Sequence, residues 1–214
     1  MTNDEHTTTV TCLIEHGRDH EAASRGAQAT ISAVSNPAPH ASDGGTSMDV
    51  VDQLQQIGPV LGAVFAGVRP EQLDAPTPCD RFVVRDVLQH MVDGATAFTA
   101  AYGGEPSSAS RDAHDPLDAI GPALGALVAA ISAPGALDRT IDAPWGAVDG
   151  DSFARYIVLD GLVHGWDLAT ATGQPYDPPD AVVAEADAFA HGLVDQLRNG
   201  EAFAPAVAPP EDAT

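Results

Sequence analysis

The chain has 214 residues, and its 31 acidic side chains outnumber its nine basic ones, all of them Arg, to give a formal net charge of −22. A surface this negative repels phosphate backbones and anionic lipid, so we expect neither nucleic acid nor a membrane as a partner. No apolar stretch approaches the roughly 20 residues that a membrane helix needs, and the N-terminal sequence lacks a secretory signal pattern. The two Cys residues are too few for a disulfide framework, so the sequence predicts a cytoplasmic protein.

The chain divides into a polar extension and one domain. Residues 1–47 are rich in Thr, Ser, Ala, His and Gly and have no sustained apolar period, so we interpret them as a disordered N-terminal extension. Met48 opens a clearly periodic segment. We place the domain at residues 48–206 and a C-terminal tail at residues 207–214.

Helical periodicity dominates this domain. Apolar residues recur at three- and four-residue steps, and Pro and Gly separate the periodic segments. The pattern predicts polar connections at 69–81 and 103–114. It predicts helices at about 48–67, 83–102, 116–132, 152–172 and 178–198.

Residues 135–150 carry the main strand signal. Two short alternating pieces lie on either side of Pro144 and Trp145, and they indicate a hairpin. With so little strand elsewhere, the predicted fold class is all-α, a four-helix bundle with an additional C-terminal helix and irregular tails.

Three polar residues lie on an apolar face of the predicted helix at 152–172. At 100° per residue, Asp160, His164 and Asp167 fall on one stripe that Ile157 and Leu168 flank. A carboxylate that faces the core needs a partner, because burying it unpaired costs several kcal/mol. The four-residue spacing of Asp160 and His164 suits a shared metal ion. It equally suits a hydrogen-bonded polar pair.

His90 lies at the edge of the apolar face of the predicted helix at 83–102, in line with small residues at 94, 97 and 101. Alone it is typical of a boundary histidine. With Asp160 and His164 it gives two imidazoles and one carboxylate from two helices, which is the ligand set of a catalytic metal site with open positions. We interpret His114 as a solvent-exposed residue and His191 as a surface or boundary residue. Cys79, just before a helix, is expected to be packed or capping, and Trp166, which projects away from the Asp160 stripe, is expected in the core.

Three runs of sequence resemble a known family. Val68–Cys79 reads V-R-P-E-Q-L-D-A-P-T-P-C, Val84–Gly94 reads V-R-D-V-L-Q-H-M-V-D-G, and Leu159–Gly173 reads L-D-G-L-V-H-G-W-D-L-A-T-A-T-G. These runs are similar to the metal-binding N-terminal domain of mycothiol-dependent maleylpyruvate isomerases. That group is a largely actinobacterial branch of the DinB-like superfamily of four-helix bundles.

The resemblance implies a DinB-like bundle in which His90, Asp160 and His164 hold a divalent metal, commonly zinc. It also implies mycothiol, a low-molecular-weight thiol, as a cofactor. Asp160 stands where the isomerase itself has the longer Glu, and Phe82 stands where the family typically has Trp.

The sequence leaves three hypotheses open. In the first, the protein is a metal-dependent isomerase or transferase that acts on a small-molecule thiol and a substrate. Its metal would bind the thiol as thiolate or polarise a carbonyl, and Asp167 would orient a ligand or accept a proton. In the second, the same bundle is a non-catalytic metal-binding or stress-associated protein. In the third, the polar residues are hydrogen-bonded to each other and no metal binds.

Overall fold

The computed structural model describes residues 47–79, 81–143 and 146–198. Residues 194–198 are described by their backbone alone. Within these ranges the chain forms six α-helices and one two-stranded sheet. The short elements are α3 (Ser108–Asp112), a 3-10 turn at Pro70–Gln72, β1 (Thr140–Ala143) and β2 (Gly146–Asp149). The long helices are α1 (Val50–Gly67), α2 (Val84–Ala101), α4 (Pro116–Ile131), α5 (Gly150–Thr172) and α6 (Asp180–Arg198).

The prediction of an all-α fold is confirmed. All five predicted helices are present, and their ends differ from the predicted ones by at most two residues. Aspartates cap three of them, because Asp49, Asp115 and Asp149 each accept a hydrogen bond from a backbone N–H in the first turn. Among the described helices, none is long and apolar enough to cross a membrane.

Four of the long helices enclose one apolar core. Helix α2 packs against α4 and α1 packs against α5, while α6 lies on α5 and on part of α1. Helix α5 is the most central of these elements, and most of its residues are buried. A polar side chain on α5 therefore tends to lie inside the protein. The core includes the fully buried side chains of Leu88, Ile120, Ile131, Val158 and Leu168.

The predicted hairpin is present and positions the start of α5. Strands β1 and β2 are antiparallel, with Ile141 opposite Val148, and β2 leads directly into α5. The hydroxyl of Tyr102, just after α2, donates to the carbonyl oxygen of Gly150 at 2.6 Å. This bond links the end of α2 to the first residue of α5.

Three details of the prediction are wrong. The connection at 103–114 is not entirely loop, because Ser107 accepts a hydrogen bond from Ser110 N–H and caps the short helix α3. The connection at 69–81 contains the 3-10 turn at Pro70–Gln72. Trp166, which helical projection placed in the core, is partly exposed.

Some predictions fall outside the described residues. They are the N-terminal extension at 1–47, apart from Ser47, the C-terminal tail at 207–214, and the hairpin turn at Pro144 and Trp145. The described helices begin at Val50 and end at Arg198.

Candidate metal centre

Helix α5 carries three polar residues into the bundle. Asp160, His164 and Asp167 occupy successive turns of this helix, and the side chains around them are largely apolar and buried. His164 is fully buried, and Asp167 is buried nearly as completely. The stripe predicted from the sequence therefore faces the inside of the protein.

Helix α2 brings His90 to the same place. Val83 has no capping side chain, but Asp86 accepts a hydrogen bond from the Val83 N–H at 3.2 Å and so stabilises the start of the helix. One turn later, the half-buried ring of His90 meets the ring of His164 edge to face, with ring centroids 5.0 Å apart and planes at 75°. Two neighbouring helices thus supply the two imidazoles.

His90, Asp160 and His164 form a compact cluster. One possible ligand atom from each residue lies within 4.8 Å of those from the other two. Nε2 of His164 is 3.4 Å from Oδ1 of Asp160. The side chain of Asp160 keeps 14% of its surface exposed and His90 is half-buried, whereas His164 has no exposed surface. The cluster therefore opens toward solvent on the side of His90 and Asp160.

The two ring nitrogens of His164 differ in their surroundings. Nδ1 lies 3.2 Å from Oδ2 of Asp167 and is hydrogen-bonded to it. Nε2 is buried and has no hydrogen-bond partner within the described residues, because its contact with Asp160 is at ion-pair distance without hydrogen-bond geometry. A buried polar atom without a well-aligned hydrogen bond costs free energy. A cation bound at Nε2 would remove that cost.

The charges of the cluster shift the pKa values of its members. Burial lowers the pKa of His164, but Asp160 and Asp167 outweigh burial and raise this pKa to about 9. Burial raises the pKa of Asp160, but the imidazoles of His164 and His90 outweigh burial and hold this pKa below its usual value. Burial is also the main reason that the pKa of His90 is lowered. Without a metal, a proton on His164 thus compensates the charges of Asp160 and Asp167.

The donor set fits a divalent transition metal. Two imidazole nitrogens and one carboxylate oxygen are ligands that zinc accepts, and three protein ligands leave at least one coordination position open. Asp167 contacts His164 on the nitrogen that faces away from the cluster, which is the usual place of a carboxylate that orients a metal-binding imidazole.

The other candidate residues do not join the cluster. His114 and His191 are exposed, as expected, and Cys79 is buried near the start of α2. Cys12 lies outside the described residues. The Asp-x-x-x-His spacing recurs on α6, where Asp187 and His191 form an exposed pair 3.5 Å apart. Burial and the presence of a third ligand distinguish the α5 pair from this one.

Asp93 also acts on the cluster, although the sequence patterns did not predict it as a site residue. Its charge raises the pKa of His90, one turn before it, although burial still dominates that pKa. It also accepts a hydrogen bond from Nε2 of Gln89 at 2.8 Å. Gln89 and Asp93 line a cavity of about 280 Å³ between α2, α3 and the start of α4. The three-residue spacing from His90 was the signal in the sequence that could have identified Asp93.

Comparison with known proteins confirms the family resemblance. Residues 54–169 match the family model described as the mycothiol maleylpyruvate isomerase N-terminal domain, and this range contains the three clustered residues and Asp167. Uncharacterized proteins from two strains of Mycobacterium tuberculosis are each 35% identical over 175 residues, which cover 77% of this chain and 94% of the relative. No match was found among solved structures. The chain therefore belongs to the family of mycothiol maleylpyruvate isomerase N-terminal domains.

Proposed function

We propose that this protein binds zinc through His90, Asp160 and His164, and that the open site serves a mycothiol-dependent isomerase or transferase reaction. The observation that carries the proposal is the buried Nε2 of His164. It has no hydrogen-bond partner within the described residues, and it belongs to a cluster of ligand atoms all within 4.8 Å of one another. Membership of the family supports the choice of thiol.

Each residue has a distinct part in this proposal. His90, Asp160 and His164 would hold the metal, and Asp167 would orient His164 through Nδ1 or act as a proton acceptor in the reaction. A bound zinc ion lowers the pKa of a thiol ligand or polarises a carbonyl oxygen. The burial of His164 and Asp167 keeps water from the inner side of the site. The exposed edge of Asp160 leaves the outer side accessible to a small-molecule thiol and a substrate.

We also propose that the protein acts in the cytoplasm. A low-molecular-weight thiol stays reduced there. The mycobacterial relatives support an actinobacterial setting for the proposed thiol.

Metal content tests the site. The full, untagged chain is loaded with zinc, dialysed and analysed, and we expect about one ion per chain. His164→Ala should lower this content strongly, because it removes the buried ligand. His191→Ala is the matched control, since His191 has the same four-residue spacing from an aspartate but is exposed. A zinc content that falls equally in both variants, or in neither, would contradict the assignment.

Turnover separates the enzyme from the non-catalytic alternative. The zinc-loaded chain is incubated with mycothiol and a panel of electrophilic and isomerisable substrates that includes maleylpyruvate. We expect thiol-dependent product formation that His164→Ala abolishes and His191→Ala retains. Stable zinc binding without any such turnover would favour a non-catalytic metal-binding protein. The absence of zinc binding would favour the hydrogen-bonded bundle without a metal.

A further inference from the structure

Tyr176 contacts the turn of α5 that carries two of the proposed ligands. It belongs to the connecting segment between α5 and α6 (residues 173–179), and its hydroxyl donates to the carbonyl oxygen of Leu162 at 2.8 Å. Leu162 lies two residues from Asp160 and two from His164 in the sequence. At 100° per residue it is about 160° around the helix axis from both of them. Tyr176 therefore touches this turn from the side opposite to the ligands.

A glycine allows this close contact. Gly165 directly follows His164, and a Cβ placed on it would lie 2.5 Å from Cδ2 of Leu61 and 2.7 Å from the hydroxyl oxygen of Tyr176. Such distances leave no room for a side chain. Leu61 of α1 and Tyr176 thus pack directly against the backbone next to His164.

The connecting segment is itself held in place. Nε2 of Gln174 donates to the carbonyl oxygen of Val64 on α1 at 3.0 Å and to the hydroxyl of Thr172 on α5 at 2.8 Å. The backbone N–H of Gln174 donates to the carbonyl oxygen of Ala169 at 2.9 Å. Because Gln174 is anchored to both helices, Tyr176 starts from a fixed position two residues later.

We propose that Tyr176 is a positioning residue for the metal site, which keeps Asp160 and His164 within reach of His90. The inference rests on the proposed metal binding. Two ligands lie on α5 and the third lies on α2, so a shift of α5 changes the separation between the ligands. Metal–ligand distances tolerate deviations of only about 0.2 Å. A contact that fixes the ligand-bearing turn of α5 from behind therefore affects metal affinity.

Tyr102 provides a matched control for this proposal. Its hydroxyl also donates to a backbone carbonyl of α5, that of Gly150, at 2.6 Å. Gly150 precedes Asp160 by ten residues, which is about 15 Å along the helix. Tyr102→Phe and Tyr176→Phe each remove one hydroxyl that is bonded to the same helix. The removed hydroxyl lies near the ligands only in Tyr176→Phe.

Cobalt binding to the full chain tests the proposal, because the visible spectrum of bound Co²⁺ reports the geometry of its ligands. We expect Tyr176→Phe to weaken Co²⁺ binding by about threefold to tenfold and to change the spectrum. Tyr102→Phe should leave both unchanged. Thermal unfolding of the metal-free variants should show a similar loss of stability in each, which separates positioning of the ligands from general stabilisation.

Several results would overturn the proposal that Tyr176 positions the metal site. The proposal is overturned if Tyr176→Phe binds Co²⁺ like the wild type, or if both variants weaken binding equally. It is also overturned if Tyr176→Phe fails to fold while Tyr102→Phe folds, since the hydroxyl would then hold the bundle rather than the site. A wild-type chain that binds no Co²⁺ would overturn the proposed metal site itself and this inference with it.

Discussion

His164 is the residue on which the candidate site depends, because it contacts both Asp160 and Asp167, the two carboxylates that α5 carries into the bundle. Nδ1 lies 3.2 Å from Asp167 and Nε2 lies 3.4 Å from Asp160. Two carboxylates around one imidazole would repel each other strongly in a buried site unless a positive charge lay between them. A proton supplies that charge in the metal-free protein, and a divalent cation could take its place.

We expect zinc uptake to release protons. Because the pKa of His164 is raised to about 9, its imidazole is protonated at neutral pH in the metal-free chain. A ligating nitrogen must lose its proton, so zinc binding at pH 7.5 should release about one proton per chain. The affinity should rise as the pH approaches 9 and fall on acidification. Calorimetric titrations in two buffers of different ionisation enthalpy measure the number released, and a number near zero would contradict this prediction.

The sequence predicts the residues of the cluster better than their contacts. Helical projection is enough to place Asp160, His164 and Asp167 on one face, because the helix geometry is local. It does not determine which nitrogen of His164 meets which carboxylate, since that depends on a side-chain rotamer fixed by packing. The distance from His90 to α5 depends on how α2 and α5 pack against each other. Helical periodicity in the sequence does not determine that packing.

Two sides of helix α5 differ in the side chains that they carry. The face with Asp160 and His164 presents polar atoms to α2, whereas the side next to it has glycines where α1 approaches. A Cβ on Gly161 would lie 3.4 Å from Cδ1 of Leu61, and one on Gly165 would lie closer still to the same leucine. Small residues on this side of α5 thus let α1 pack close to the turns that carry Asp160 and His164.

We expect Gly165→Ala to destabilise the protein by about 1–3 kcal/mol, because the added methyl group would overlap Leu61 and Tyr176. Gly125→Ala is the matched control. Gly125 also lies inside a helix, but a Cβ there meets no atom within 4 Å. That variant should be more stable than the wild type by about 0.5–1 kcal/mol, since alanine favours helix. Urea unfolding of the metal-free chains measures both changes, and equal stabilities of the two variants would contradict the prediction.

The long helices could be predicted because their signals are local. Apolar periodicity and capping aspartates lie within each segment, as at Asp115 and Asp149. The return of the connecting segment onto α5 could not be predicted, because the bonds that fix it join residues far apart in the sequence. Tyr176 reaches Leu162 and Gln174 reaches Val64.

The charge of the whole molecule is only partly compensated by ion pairs. The chain carries 31 acidic residues and nine Arg. Arg155 forms ion pairs with Asp151 at 2.8 Å and with Glu185 at 3.7 Å, and it joins α5 to α6. The arginine pairs around Arg85 are longer, at 3.9 Å, and more exposed. Because acids outnumber Arg more than threefold, repulsion between carboxylates remains a general cost of folding.

We expect monovalent salt to stabilise the protein. Raising the ionic strength from 0.01 M to 0.15 M shortens the Debye length from about 30 Å to about 8 Å. This screening weakens the repulsion between carboxylates over the whole surface. It weakens the attraction within ion pairs less, because their charges lie close together. The thermal midpoint of the metal-free chain in NaCl with a chelator should rise by about 3–6 °C. Sucrose at equal osmolality is the control and should not reproduce the rise. A fall in the midpoint would contradict the prediction, since it would mean that pairs such as Arg155 with Glu185 outweigh the net repulsion.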